Sequence, residues 1–245
     1  MLYNGKTLKI LCISDQIDPQ IYSPQIKERF GGIDMILCAG DLPLDYLDFI
    51  VSNLNKPLFF IFGNHHIKDI KHYKKQLSYP YDKYNDEYMG CGAVHLGSKI
   101  KKENGLILAG FDGSMRYNKG INQYTEFEML WEVIKLIPGF LWNRLFHGRY
   151  LDILLTHSPP KGIHDKKDQC HTGFKVFRKF LKTFKPLYHV HGHIHLYDLS
   201  DIRCTKWENT TVCNAFSHYV INYDSDSKPE TAKLSVTSNQ VTSGD

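Results

Sequence analysis

The chain lacks the features of a secreted, membrane-spanning or nucleic-acid-binding protein. It has no run of 18 apolar residues, and no charged segment followed by an apolar one precedes the first predicted strand. Its six cysteines form no Cys-x-x-Cys pair, which favours free thiols in a reducing compartment. Lysine and arginine exceed aspartate and glutamate only by 30 to 26, a balance that suits an anionic substrate but gives no specific nucleic-acid signal. We therefore expect a cytoplasmic protein without a transmembrane segment.

What the chain does contain is enough apolar sequence for one domain. Of its 245 residues 42% are hydrophobic, and no linker or internal repeat divides them. Short, nearly continuous apolar runs predict strands buried on both faces, and their early alternation with helical periodicity favours an α/β architecture. The predicted strands are 8–14, 35–39, 57–62, 93–96, 106–109, 151–156, 186–190 and 211–216, and the predicted helices are 24–30, 44–54, 123–137 and 172–184. We expect one domain over residues 1–223 and a disordered polar tail over 224–245.

Histidines are concentrated just after one predicted strand. His189, His191, His193 and His195 alternate around a single glycine, a density that is costly in a core and is most often used for metal ligation. Other predicted strand ends carry further metal-binding residue types, and these are Asp15, Asp41, Asn64, His65 and His157. Ligands in α/β folds gather at the carboxyl ends of strands. The set therefore predicts a dinuclear metal centre.

The order of these segments resembles one enzyme family. They read S-D-Q-I-D, A-G-D-L-P-L-D, F-G-N-H-H, T-H-S-P-P and H-G-H-I-H along the chain. This is similar to the calcineurin-like metallophosphoesterases, whose motifs run DxH, GDxxD, GNH(D/E), a lone His and GHxH. The resemblance covers roughly residues 8–220 and implies two packed mixed β-sheets flanked by helices, in four α/β/β/α layers. It also implies metal-dependent hydrolysis of a phosphoester, with a phosphodiester slightly ahead of a phosphomonoester, by two divalent ions and a hydroxide that bridges them.

The resemblance also implies a role for each motif residue. Asp41 would bridge the two ions, and His65 would donate a proton to the leaving group or stabilise its charge. The remaining ligands fall into two sets, Asn64, His157 and His193 for one ion, and Asp15 and His195 for the other.

One departure from the family pattern weakens the second ligand set. The histidine expected two residues after Asp15 is replaced by Ile17, whose aliphatic side chain cannot bind a metal. Asp18 is the nearest candidate for a replacement ligand, and a turn residue before Pro19 is the alternative. A carboxylate in place of an imidazole would favour a hard ion, so we expect Mn²⁺, with Fe, Zn or Mg²⁺ as alternatives.

Three further residues are candidates for substrate contacts. Arg116 lies among Gly, Ser and Asn after a predicted strand, where a guanidinium could bind a phosphate. His164 and His171 lie in loops after His157, and an ordinary exposed polar role is equally consistent with the sequence.

Residues 131–150 interleave aromatic and basic side chains, and Pro138-Gly139 predicts a break into two helical pieces. A helical hairpin packed over the sheet is favoured, and peripheral contact with a membrane surface through this segment is the alternative. Two other functions stay open. One is a non-catalytic interaction scaffold with a degenerate metal site, and the other is a lipid-linked pyrophosphate hydrolase with 131–150 as its lid. The sequence does not predict the oligomeric state.

Overall fold

The protein is described from a computed structural model that covers residues 7–65, 92–198 and 200–224. In these ranges the helices are α1 (Ile26–Phe30), α2 (Leu44–Leu54), α3 (Glu126–His147) and α4 (Lys175–Phe184). The strands are β1 (Leu8–Ser14), β2 (Met35–Cys38), β3 (Leu58–Phe60), β4 (Val94–His95), β5 (Lys99–Glu103), β6 (Leu106–Phe111), β7 (Ser114–Met115), β8 (Gln123–Tyr124), β9 (Ile153–Thr156), β10 (Tyr188–His191), β11 (Cys204–Trp207), β12 (Thr210–Asn214) and β13 (Ser217–Tyr223).

Two large mixed sheets organise the described chain. The first has the order β13-β1-β2-β3-β4, in which β1 to β4 are parallel and β13 returns antiparallel to β1. The second has the order β11-β12-β10-β9-β6-β5, with four parallel strands in the middle and an antiparallel strand at each edge. The parallel strands of each sheet therefore end at a common edge, where loops can place ligands side by side.

Alternating side chains of each strand pack on opposite sides, which builds the layers. In β1, Ile10 and Cys12 join the apolar core between the two sheets, while Leu11 and Ile13 pack with α1 and α2. On the second sheet, the outward side chains pack against α3 and α4 in a third cluster. The predicted α/β/β/α architecture is confirmed.

The predicted break at Pro138-Gly139 is wrong. A single helix, α3, runs through Pro138, and a Cβ on Gly139 would lie 2.7 Å from the Ile100 side chain on β5. Proline costs a helix one hydrogen bond. Here Val133 and Phe140, on either side of the proline, are both buried, so packing holds the helix together. The helical hairpin expected over 131–150 is therefore one long helix on the second sheet.

The remaining differences lie at the ends of the chain and in short elements. Strand β13 was not predicted, and the predicted tail falls almost wholly on residues 225–245, outside the described ranges, so its disorder stays a prediction. No helix within the described ranges is long and apolar enough to cross a membrane.

Candidate metal centre

The predicted ligands converge where strands of the two sheets end. Asp15 follows β1, Asp41 follows β2 and His157 follows β9, so both sheets contribute. One ligand atom from each of these three residues lies within 4.8 Å of the others, and the described residues contain this one such group. Two carboxylates and an imidazole therefore share a volume the size of a metal site.

The backbone at the centre adopts conformations that side chains ordinarily avoid. Asp15, Asp41 and His193 have φ angles of 64°, 55° and 68°, in the left-handed region. The loops also approach closely, since a Cβ on Gly192 would clash with the Ser14 hydroxyl and would lie 2.6 Å from the Asp15 carboxylate. Strained backbone clusters at functional sites, where the surrounding structure holds it in place.

His157 has one ring nitrogen aimed into the cluster. Its Nδ1 donates to the Ala39 carbonyl at 2.8 Å, while Nε2 lies 3.1 Å from both Asp41 Oδ2 and Asn64 Oδ1. The ring is fully buried. Burial lowers the pKa of His157, but the charge and hydrogen bond of Asp41, the charge of Asp15 and the Ala39 carbonyl together outweigh it and raise the pKa to about 9. Nε2 and two oxygens thus point at one place that favours a positive charge.

Asp15 is a buried carboxylate beside another carboxylate. Its side chain is 1% exposed and accepts hydrogen bonds from the His193 amide at 2.9 and 3.1 Å. Burial raises its pKa, the charge of Asp41 raises it further, and the charge of His157 lowers it. A cation between Asp15 and Asp41 would relieve this repulsion.

The loop after β3 brings Asn64 and His65 to the same place. Asn64 is buried, and its amide nitrogen donates to the Tyr117 hydroxyl at 3.1 Å, which directs the amide oxygen towards His157. The His65 backbone amide donates to Asp41 Oδ1 at 3.0 Å, while His65 itself is exposed. Asn64 is therefore oriented as a ligand, and His65 stands at the mouth of the site.

His193 and His195 complete the cluster on the side of β10. The His193 ring lies 4.8 Å from the His157 ring, and its Nε2 donates to the Cys170 carbonyl at 2.7 Å, which leaves the Nδ1 lone pair as its ligand atom. Burial lowers the pKa of His193 to about 3, so the ring is neutral. His195 Nε2 lies 3.8 Å from Asp15 Oδ1, and its ring stacks on Phe216.

The other two histidines of the run belong to a neighbouring hydrogen-bond network. His189 and His191 are fully buried, and His189 bonds the Thr156 hydroxyl. His191 Nε2 accepts from His164 Nδ1 at 2.8 Å, and His164 Nε2 bonds the Thr205 hydroxyl. Burial lowers the pKa of His164 to about 4. This network gives His164 a structural role that competes with the predicted substrate contact.

Of the other two predicted substrate contacts, one lies beside the candidate ligands. The His171 ring is 5.3 Å from the His193 ring and is bonded to Asp168. The Arg116 guanidinium is instead bonded to Glu128 and to the Gln123 carbonyl. The contact of either side chain with a substrate stays a prediction.

Asp18 is bonded to groups outside the cluster. Its Oδ2 accepts hydrogen bonds from Ser217 and His218, and its Oδ1 accepts one from the Gln20 amide. Ile17, at the position where the family pattern has a histidine, is 42% exposed. These contacts occupy both Asp18 oxygens, so the structure gives no support to Asp18 as a replacement ligand.

Sequence reasoning missed the residues that hold the loop after β3. Asn122 donates to the carbonyls of Phe62 and Gly63 at 3.1 and 2.7 Å, and Asp112 accepts from the Phe62 amide at 2.9 Å. Asp112 follows β6 directly, so the strand-end rule that found the ligands could have found it. Tyr117 and Asn122 lie in the connection between the short strands β7 and β8, which has no readable periodicity.

Comparison with protein families gives one match over most of the chain. The family model described as calcineurin-like phosphoesterase matches residues 8–197. A curated relative, the UPF0046 protein T07D4.2 of Caenorhabditis elegans, is 37% identical over 76 residues. That match covers 30% of this chain and 19% of the relative, so the chain spans about a fifth of that protein.

Solved structures agree on the fold. One crystal structure superposes with a TM-score of 0.62 at 14% identity, covering 89% of this chain and 95% of its own. The crystal structure of TT1561 of Thermus thermophilus superposes with a TM-score of 0.59 at 13% identity, covering 89% and 99%. At this identity the likeness shows a shared architecture.

Proposed function

The chain belongs to the calcineurin-like phosphoesterase family, and on that premise we propose that it hydrolyses a phosphoester at a dinuclear centre. Family membership implies metal-dependent phosphoester hydrolysis in general. The observation that carries the finer proposal is the convergence of Asp15, Asp41 and His157 at strand ends of both sheets. A phosphodiester is our first choice of substrate, with a phosphomonoester second.

The donor atoms fit divalent metal ions. Two carboxylates lie next to the buried imidazole of His157, and a cation would take the place of the Nε2 proton that His157 shares with Asp41 and Asn64. Carboxylate and amide oxygens with imidazole suit Mn²⁺ or Fe, and Zn²⁺ or Mg²⁺ less fully. We propose Mn²⁺ as the resident ion.

The contacts are consistent with the two proposed ligand sets. His157 contacts both Asn64 and His193, while His195 approaches Asp15. Asp41 Oδ2 lies 3.1 Å from His157 of one set, and a ligand atom of Asp41 lies within 4.8 Å of one of Asp15 in the other, which supports its proposed role as the ligand common to both ions.

The chain's own residues supply the rest of the chemistry. Divalent ions, when bound, offset the charge of the phosphoryl oxygens and acidify the attacking water. His65, anchored by its amide to Asp41 and exposed at its side chain, is placed to protonate a leaving oxygen at the mouth of the site. Tyr117 keeps the oxygen of Asn64 turned inward.

The test combines metal content with a substrate panel. The purified chain should retain a divalent ion, and its hydrolysis of aryl phosphodiesters and phosphomonoesters should vanish on metal removal and return on adding Mn²⁺. His157→Ala should lose both properties, whereas His147→Ala, at the exposed end of α3, should keep them. A chain that folds yet neither binds metal nor hydrolyses any member of the panel would instead be the interaction scaffold that Ile17 suggests.

A further inference from the structure

The solvent side of α3 carries a continuous row of large apolar side chains. We define this apolar stripe by six residues, Phe127, Trp131, Ile134, Leu141, Trp142 and Leu145. Their exposed fractions run from 37% at Ile134 to 76% at Leu145. Apart from the adjacent pair Leu141 and Trp142, successive members are three, four or seven residues apart, which places them along one side of the helix. The stripe extends over nearly the full length of α3.

The apolar stripe is additional to the face that α3 buries. Met129, Val133 and Phe140 already pack against the second sheet, so the helix needs no further apolar surface to stay attached. Rings of the exposed side instead pair with each other, as Trp142 does with Phe146 at 4.2 Å between ring centres. Apolar surface of this extent on a water-soluble domain marks an interaction site.

Basic side chains border the apolar stripe on one side. Helix α4 packs beside α3 through Phe140 and Phe180, and its sequence contains no acidic residue. Its exposed residues include Lys175, Arg178, Lys179 and Lys182. Lys175 and Lys179 line one shallow cleft together with Phe127 and Leu130, so the basic and apolar surfaces are continuous.

A basic residue also borders the opposite side of α3, and two of the three acids of α3 are paired with cations. Strand β5 contacts α3, and Lys102, on the same face of the strand as Ile100, bonds His147 at the end of α3. Glu126 accepts from two backbone amides of α4. Glu128 pairs with Arg116, and Glu132 pairs with Lys135. The apolar stripe is thus flanked by positive charge on both sides.

We propose that α3 and α4 dock on the surface of an anionic lipid bilayer. An interfacial helix inserts aromatic and aliphatic side chains at the headgroup boundary, and neighbouring lysines and arginines bind anionic headgroups. Tryptophan favours this boundary, and Trp131 and Trp142 both lie on the apolar stripe. Positive charge on both flanks matches a broad anionic plane better than a second copy of this basic surface. This inference is independent of the proposed hydrolysis.

The test uses the full chain with vesicles of phosphatidylcholine, alone or mixed with phosphatidylserine. We expect cosedimentation with the mixed vesicles, weakened by salt, and a blue shift of tryptophan emission, because two of the three tryptophans enter the boundary. On phosphatidylcholine alone, binding should be weaker by about tenfold or more. Equal binding to both vesicle types, or no binding to either, would overturn the proposal.

Variants separate the two parts of the surface. Leu141→Ser/Trp142→Ser/Leu145→Ser removes apolar contact, and Lys179→Gln/Lys182→Gln removes charge. Each should weaken binding to the mixed vesicles by about tenfold or more. Ile202→Ser, at an apolar residue 67% exposed outside α3, is the matched control and should bind like the native chain. Circular dichroism confirms that each variant folds.

A second copy of this chain is the competing occupant of the apolar stripe, and the oligomeric state tests for it. If the native chain is dimeric without lipid and the serine variant is monomeric, the apolar stripe is a self-association surface. That result, like native-level vesicle binding by the serine variant, would contradict the bilayer assignment.

Discussion

The side chains proposed as ligands for the two metal ions differ in how far the protein buries and orients them. The full half, defined as Asn64, His157 and His193, is buried, and each side chain has a partner outside the cluster, namely Tyr117, the Ala39 carbonyl and the Cys170 carbonyl. The sparse half, defined as Asp15 and His195, also has partners, the His193 amide and the Tyr197 hydroxyl, but its imidazole side chain is 41% exposed. Ligands whose orientation is fixed before binding lose less entropy on binding a metal. We therefore expect the two sites to bind metal with unequal affinities, the full half more tightly than the sparse half.

The histidine that Ile17 replaces would have been a further ligand of the sparse half, so its absence increases the expected difference in metal affinity. Ile17 stands where the family pattern has a ligand, and Asp18 is engaged by Ser217 and His218. The sparse half therefore depends on Asp41, which it shares with the full half. Four substitutions, in decreasing order of predicted effect, test this difference between the two halves.

Asp41→Ala should remove the metal ions from both halves, so that no difference in affinity remains. Since the proposed centre has one carboxylate that serves both ions, we expect metal content near zero and a fall in kcat/KM of about a thousandfold or more. Metal analysis and hydrolysis of an aryl phosphodiester measure this, with Asp48→Asn on α2 as the control. Retention of two ions per chain and near-native turnover would disprove the bridging role.

His65→Asn should reduce turnover without disturbing either half. General acid catalysis contributes about 10²–10⁴-fold, so kcat should fall within that range while metal content stays native. The loss should be larger for an alkyl than for an aryl phosphodiester, because the alkoxide needs the proton more. A uniform loss on both substrates accompanied by loss of metal would make His65 a structural support.

Tyr117→Phe should weaken the full half alone. The substitution removes the acceptor that orients the Asn64 amide, and such supporting contacts contribute about 10- to 100-fold in metal affinity. Metal titration should show a weaker tight site and an unchanged weak one, while Tyr22→Phe at an exposed ring changes neither. If both sites weaken together, Tyr117 supports the whole loop and not Asn64 in particular.

Asp18→Ala should affect stability and leave metal binding unchanged. The variant leaves the donors of Ser217, His218 and Gln20 without an acceptor, which lowers the free energy of unfolding by about 1–3 kcal/mol. Burial raises the Asp18 pKa, but hydrogen bonds from Ser217 and His218 lower it below its usual range. The carboxylate's contribution is thus present above the ordinary aspartate pKa and is lost as pH falls through the folded-state value. Thermal melts at several pH values test this, and loss of one ion would restore Asp18 as a ligand.

The parts of the molecule that the sequence predicted are those with strong local patterns. Buried strands such as Leu8–Ser14 were readable because both faces are apolar, and family-like motifs marked the ligands at their ends. Strand β13 was missed because its first four residues are only partly buried, which gives no alternation to read. Asn122 and Tyr117 were missed because their role depends on contacts made across more than 50 positions of sequence.

Local patterns are a weaker guide where packing decides: the break at Pro138 is wrong, and metal ligation by Asp18 stays a prediction that its contacts do not support. Pro138-Gly139 indicates a break, yet Val133 and Phe140 bury the helix on both sides of it. Asp18 was a reasonable candidate from its distance along the chain to Asp15. Its side chain instead meets β13, a strand nearly 200 positions away whose position no local pattern gives.

The most direct test of two unequal sites is a count of metal ions per chain during graded chelation. The native chain should hold two ions and lose them in two separate steps, with His195→Ala lacking the first step. Ile17→His, which restores the family's ligand, should shift that first step to higher chelator concentration, whereas Ile17→Leu should not. Loss of both ions in a single step, or no effect of Ile17→His, would contradict the proposal of two metal sites with unequal affinities.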